Sequence, residues 1–592
     1  MMENMRVVLL GVQLWSWAMV LTAAGCLAAA LIQRSKRHHE TNNRILRARS
    51  RRDEAICHAE QAVERHKESN PKTDSSLLSL SLSELVKSLK EESLHPEDVF
   101  YSYMEKALDV NRKLNCCTGV LVESFDQLEN LNKEGLLYGV PVSIKENIGY
   151  KNHDSTCGLS MRLDQPAQKD SVLVEVLKSQ GAIPFVKTNV PQTLFSAGCS
   201  NPIYGQTLNP HNHKKTPGGS SGGEVALVAA GGSQLGFGSD IGGSIRVPCS
   251  FCGICGFKPT GGRLSSLGVR ATVPGTKPRQ PSIGPIAKDV DSLALSMQAL
   301  LCDRMFFLDP TIPPFPFNFQ MYQSTGTLRI GYFEADGWVE PSPSMARALR
   351  EVKGLLERAG HTLVPFKPVR VGTSLQELIM RGSLADGGTI LKEVLKGDYV
   401  DPCIAQQAFL LCIPNLMKRI LSILIKPWCP RVAQSLSVSS GFRSVSDLWK
   451  HDEEVKEYIY ETIQEWRRCS MDVLLCPVFG PAYNAVNCGR ASFAVSHAAV
   501  YNLLNFPAGV VPVSTVTSQD EEELKNYKGY YQDKMDKNFK QAVSGGEGLP
   551  VAVQCVALPW HDELCLRFMK EVEQLVRQNK KAGIDPVKSR RP

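Results

Sequence analysis

The glycine-rich stretch from Thr216 to Arg246, TPGGSSGGEVALVAAGGSQLGFGSDIGGSIR, lacks the residues that would make it a nucleotide site. No Gly-Lys-Ser or Gly-Lys-Thr closes it, which excludes a phosphate-binding P-loop, and Ile241 stands where a dinucleotide fingerprint needs its third glycine. The cysteines lack a metal pattern as well. Cys249, Cys252 and Cys255 are spaced like part of a ferredoxin run, but the fourth position is Pro259, so they read as small buried residues and no metal or cofactor is expected. Eighteen cysteines scattered through 592 residues, a chain long enough to form a large core without disulfides, point to a reducing compartment. Acids are scarce where bases gather: eight Lys or Arg and only Glu40 fall between Arg34 and Arg52, which accounts for the net charge of +7. The remainder is near neutral, which excludes a nucleic-acid groove. No fixed-period repeat is present, so a solenoid is excluded too.

Charge is also missing from Val7 to Ile32. A helix of that length crosses a hydrocarbon core of about 30 Å, and its apolar part is longer than a signal peptide's. Residues 1–6 are then a short tail and 7–32 one transmembrane helix. The basic run after it places the bulk of the chain in the cytosol. Gly25 and Ala29 form a small-xxx-small pair that offers a contact for a homodimer. Residues 33–75 read as a basic juxtamembrane segment meeting anionic headgroups, 76–580 as one globular domain, and 581–592 as a tail.

Within that domain helices precede the first strand. Gly139–Lys145 (GVPVSIK) is apolar on both faces like a buried strand, Val172–Gly181 is helical, and Ala182–Lys187 is the next strand. Leu328–Phe333, a helix over Met345–Ala359 and His361–Pro365 repeat that order. Asp472–Pro477, Ala508–Val516 and Val551–Leu558 add three more strands. Strands alternating with helices predict an α/β domain. Phe409–Val432 stands apart: prolines cut it into two short apolar segments whose only charges, Lys418, Arg419, Lys426 and Arg431, are basic. It reads either as a core helix pair or, with Trp428 and no acids, as an interfacial segment docking on a bilayer.

The glycines of 216–246 suit a site where backbone amides approach a ligand closely. Gly218, Ser220 and Gly222 satisfy the nucleophile-elbow spacing of α/β-hydrolases, which would pair Ser220 with a histidine, His497 or His561, in a lipase or esterase. That elbow must follow a buried strand, whereas Asn209–Thr216 is polar. The other solution is a lysine base. Lys145 ends a buried strand, and desolvation there lowers a lysine pKa toward the neutral form.

Four blocks, GVPVSIKEN at 139–147, GGSSGGE at 218–224, SDIGGSIRVP at 239–248 and GICGFKPT at 253–260, resemble the amidase signature family in order and spacing. With the N-terminal membrane helix, the 409–432 segment and VAVQCVALPW at 551–560, the chain is similar to the family's membrane-bound, lipid-cleaving branch. The resemblance implies an α/β fold with a large twisted mixed β-sheet covered by helices on both faces, here preceded by the transmembrane helix. It implies cleavage of fatty acid amides, long-chain primary amides and N-acylethanolamines, to acid and amine. Ser244 would be the nucleophile, Ser220 the proton relay and Lys145 the base, with the amides of Ile241, Gly242, Gly243 and Ser244 forming the oxyanion hole. Ser221, Asp240 and Arg246 would support the turn. A small-amide amidase remains the alternative within the fold. The absence of a basic face argues against an amidotransferase, and the intact Lys145, Ser220 and Ser244 set argues against a non-catalytic scaffold. One departure is visible: Ala197 and Gly198 stand where the lipid-cleaving branch carries an aromatic and an acid, which alters the expected substrate channel.

Overall fold

The computed structural model describes residues 2–70, 75–275, 281–370, 372, 374–489 and 496–582. Of the expected C-terminal tail, 583–592 lie outside these. Eleven strands form one sheet: β1 (Cys117–Val120), β2 (Pro141–Lys145), β3 (Ile183–Thr188), β4 (Leu235–Asp240), β5 (Cys255–Lys258), β6 (Ser282–Ala287), β7 (Arg329–Tyr332), β8 (Thr362–Pro365), β9 (Val473–Pro477), β10 (Ala508–Thr515) and β11 (Pro550–Val556). Their spatial order is β1-β3-β2-β4-β6-β5-β10-β11-β9-β7-β8. The sheet is mixed, with β2 parallel to both β3 and β4 while β4 runs antiparallel to β6. Helices shield it, so every residue of β2 and β3 is buried, and that is why these strands read as continuous apolar runs rather than alternating ones.

The helices that matter below are α1 (Met2–Ser69), α2 (Pro96–Leu114), α3 (Gly222–Ala229), α4 (Arg246–Cys252), α5 (Pro402–Cys412), α6 (Asn415–Ile425), α7 (Ser496–Leu503) and α8 (Asp562–Lys581). α2 starts on Pro96 followed by Glu97 and Asp98, which suit the positive end of the helix dipole. It ends on Asn115 in the left-handed conformation.

The expected division at residue 75 is corrected by α1. Its second half belongs to the domain, because Ile45, Ala48, Ala59 and Val63 are buried against it. Arg47 reaches Asp164 at 2.7 Å, and Arg51 reaches Asp164 at 2.9 Å and Asp154 at 3.2 Å. These bases of the stretch expected to meet headgroups are therefore already paired. The pairs are half-exposed and worth at most about 1 kcal/mol each, so apolar burial supplies most of the docking energy. Among the described residues no single helix is long and apolar enough to cross a membrane, whereas α5 and α6, bent by 95°, pass that test together.

Candidate active site

β2 and β4 lie side by side with Ile144 opposite Phe237, so their carboxyl ends bring Lys145 and Asp240 into one neighbourhood, where ligands bind in sheets of this kind. Two loop-to-helix junctions close on that point. Gly218–Ser221 leads into α3, and Ile241–Ile245 leads from β4 into α4. Ser221 N donates to Ser244 O at 3.1 Å, which ties the two junctions together.

Lys145 is fully buried. Its Nζ lies 2.8 Å from Ser220 Oγ and 3.0 Å from both the carbonyl and the hydroxyl oxygen of Ser239. Desolvation pushes its pKa down to about 8; the Asp240 carboxylate works the other way without cancelling it. A few per cent or more of the lysine is thus the free amine near neutral pH, a requirement for a base. On the same strand Ser143 donates to the buried Glu224 carboxyl, which also accepts from Thr188 Oγ1 at 2.6 Å. Burial raises that carboxyl to about 8, so Glu224 is largely neutral at pH 7 and adds little negative charge beneath the lysine.

The glycines admit close approaches. A Cβ on Gly219 would sit 2.3 Å from Gly198 O and 2.4 Å from Ser196 O, and the Gly219-Ser220 peptide is cis. Gly243 has φ +114°, and a Cβ there would meet Ala498 of α7 at 2.8 Å. Ser244 is half-buried, as accessible as an attacking hydroxyl must be.

Asp240 and Arg246 hold this loop. Asp240 accepts from Gly243 N at 2.7 Å, Ile245 N at 3.1 Å, and Arg246 Nε and Nη2 at 3.0 Å each. Asn502 Nδ2 adds a bond at 3.0 Å. Arg246 also donates to Ala498 O, Gln554 Oε1 and Asn502 Oδ1. Burial opposes the Asp240 charge, but Arg246 outweighs it and holds the carboxyl well below the usual carboxylate range. Of the four amides expected to form the oxyanion hole, that of Gly243 is engaged by Asp240 in this structure.

The histidine alternative finds no support in the geometry. His497 is buried with Nε2 3.5 Å from Asp336, and His561 is exposed and contacts Pro559 O; neither bonds to Ser220. Ser221 keeps a buried hydroxyl with no hydrogen-bond partner and acts through its backbone. Ser239, Asn147, Asn502 and Gln554 are partners that sequence reasoning missed. Three of them had a visible signal, since Ser239 precedes Asp240 in SDIGGS, Asn147 closes GVPVSIKEN and Gln554 stands in VAVQCVALPW. Cys249, Cys252 and Cys255 are buried thiols. A separate cavity of about 690 Å³ under α1, lined by Arg51, His58, Glu146, Asp154 and Lys187, contains none of Lys145, Ser220 and Ser244.

A family model described as Amidase matches residues 98–566. The chain is 50% identical to fatty-acid amide hydrolase 1 of Sus scrofa over 93% of its own length and 96% of that protein. It is 52% identical to the vitamin D3 hydroxylase-associated protein of Gallus gallus over 74% of this chain and 95% of the relative. It is 36% identical to fatty acid amide hydrolase 1 of Caenorhabditis elegans over 89% and 93% of the two chains. Among solved structures, a fatty acid amide hydrolase superposes with a TM-score of 0.76 at 23% identity, covering 92% of this chain and 96% of that one.

Proposed function

The chain belongs to the amidase family, and from that premise we propose that it is a serine hydrolase cleaving fatty acid amides, long-chain primary amides and N-acylethanolamines, to the free acid and the amine. The observation that carries the chemistry is the buried Lys145 amine 2.8 Å from the Ser220 hydroxyl, in a loop bonded to Ser244. In the first half-reaction Ser244 Oγ attacks the amide carbonyl, its proton passes to Ser220, and the Ser220 proton passes to Lys145. The oxyanion is met by backbone amides of the turn from Ile241 to Ser244. The proton then returns through Ser220 to the leaving amine, and water releases the acid from the acyl-Ser244 ester by the same relay.

Membrane attachment belongs to the same proposal. The uncharged Val7–Ile32 lies within α1, with Trp15, Trp17, Leu21 and Leu31 exposed. The α5–α6 pair is the second contact. Three of the four bases in 409–432 bond to the protein: Lys418 donates to Ser439 O at 3.1 Å, Arg419 to Ser440 Oγ at 3.1 Å, and Arg431 to Asp533 at 2.7 Å. Outside remain Leu416, Met417, Ile420, Leu424, Ile423 at 73% and Trp428 at 79% exposure, an apolar face suited to the acyl boundary of a bilayer. A cytosolic-facing site on the endoplasmic reticulum accords with eighteen free thiols. Exposed Gly25 supports pairing of two copies, read by cross-linking at the neighbouring Cys26.

The full chain in mixed micelles is expected to turn over a C18 or longer primary amide at least tenfold faster, as kcat/KM, than a C4 amide, given about 0.8 kcal/mol per buried CH₂. A preference for the short amide would instead identify a small-amide amidase. Removing residues 1–32 should leave the protein sedimenting with vesicles through α5–α6; full solubility of that variant contradicts the second contact.

A further inference from the structure

We infer that Ser239 and Asn147 are positioning residues that aim the Lys145 lone pair at Ser220, an inference that rests on the hydrolase reading above. Three oxygens surround the amine: Ser220 Oγ at 2.8 Å, Ser239 O at 3.0 Å and Ser239 Oγ at 3.0 Å. An ammonium has three N–H donors and satisfies all three. A free amine has two N–H groups and one lone pair, so one of the three oxygens must change from acceptor to donor. The carbonyl has no proton to offer. Either hydroxyl can donate, and the outcome decides the chemistry. If Ser220 donates, its proton already points along the path to the base. If Ser239 donates, the lone pair is occupied and Ser220 is left as an acceptor, with its proton elsewhere.

Asn147 breaks the tie. Its Nδ2 donates to Arg270 O at 3.0 Å, which turns its Oδ1 toward Ser239, 3.4 Å from the hydroxyl. An amide oxygen only accepts, so in that pair Ser239 must donate. With its proton given to Asn147, Ser239 Oγ can only accept from Lys145, as its carbonyl does. The two N–H groups of the amine are then both used, and the lone pair faces Ser220. The supports are rigid: Asn147 is buried two residues beyond Lys145, Arg270 N donates to Asn147 O at 2.8 Å, and Ser239 lies on β4 beside β2. The titratable groups facing Lys145 from the surrounding elements are Asp240, Glu224, Cys157 and Cys199, and none of them hydrogen-bonds to it. The direction of the lone pair is therefore set by Ser239 and Asn147 rather than by a charged neighbour.

The test follows the rate of fluorophosphonate labelling at Ser244 in the full chain, together with long-chain amide turnover, from pH 6 to 10. Ser239→Ala should lower the high-pH plateau of both rates by about tenfold to a hundredfold. It should also move the acidic limb to lower pH, because the ammonium has lost an acceptor. A loosened, wetter site would move that limb the other way. Ser239→Thr, which keeps the hydroxyl, should return plateau and limb to within about twofold. Asn147→Ala should cost about threefold to tenfold alone and less than about twofold when Ser239 is already alanine, since it acts only through that hydroxyl. An unchanged plateau in a normally melting Ser239→Ala chain overturns the inference, as does a limb moved upward or an Asn147→Ala cost that is equal in both backgrounds. Failure of the unsubstituted chain to label at Ser244 would sink the hydrolase reading and this inference together. Normal labelling without amide turnover would count against the substrate alone.

Discussion

Lys145→Met is expected to lower kcat/KM toward a long-chain amide by about 10³–10⁴, the upper range for a residue that acts as both base and acid, while leaving the protein at least as resistant to heat at pH 7. The second half of the expectation comes from burial. Desolvation has moved this lysine from its ordinary 10.5 to about 8, so the folded chain binds its proton less tightly than the unfolded chain does. At any pH below 8 the fold carries the whole penalty, about 3 kcal/mol; between 8 and 10.5 the penalty fades, and above 10.5 it is gone. Methionine fills similar volume without charge. Loss of activity with retained or raised Tm assigns the lysine to chemistry, whereas a fall in Tm matching the fall in activity would assign it to structure. In the unsubstituted enzyme the same shift fixes the pH profile. The active species is the amine, so kcat/KM should rise about tenfold per unit from pH 6 to 7, bend near 8 and then level.

Arg246→Ala is expected to cost about 3–5 kcal/mol of stability, because it removes one partner of a fully buried ion pair and leaves Asp240 charged in the interior. Arg246 also joins Ala498 of α7 and Gln554 of β11 to the loop after β4, so the loss reaches three elements. Adding Asp240→Asn to that variant removes the stranded charge. It should recover part of the Tm without recovering activity, since a neutral amide grips Gly243 N less well. Equal Tm for the single and double variants would show that the penalty lies in packing rather than in charge.

The sheet was legible wherever strands are buried on both faces or paired with a helix of clear period. GVPVSIK, AIPFVK, DVLLCP and VAVQCVAL all carry the strands they announce. Those missed are β1, β4, β5 and β6. LGFGSD, CGFK and SIGPIA are too rich in glycine and proline to show a strand pattern, and neighbouring strands rather than propensity hold them extended. The 33–75 segment misled for a different reason. Its bases dominate the composition, but helical geometry puts Ile45, Ala48, Ala59 and Val63 on one face and turns Arg47 and Arg51 to acids more than a hundred residues away. The same happened in α6, where Lys418 and Arg419 point into the domain.

Within the site, Lys145, Ser220 and Ser244 could be picked out because each stands in a block with its own spacing. Gly243 could not be told from Gly242, since only the folded turn decides which amide Asp240 takes. Asn147 and Gln554 stand in recognisable blocks and Asn502 in none, but the role of all three was illegible because a single buried amide has no pattern; what defines each is a partner on another element.

The most direct test of the account is to label the full chain with a fluorophosphonate near pH 8.5 and map the phosphonylated residue by peptide mass spectrometry. A single adduct on Ser244, abolished in Ser244→Ala and formed about 10³-fold more slowly in Lys145→Met, is the predicted result. An adduct on Ser220, or labelling that survives the loss of Ser244, would contradict it.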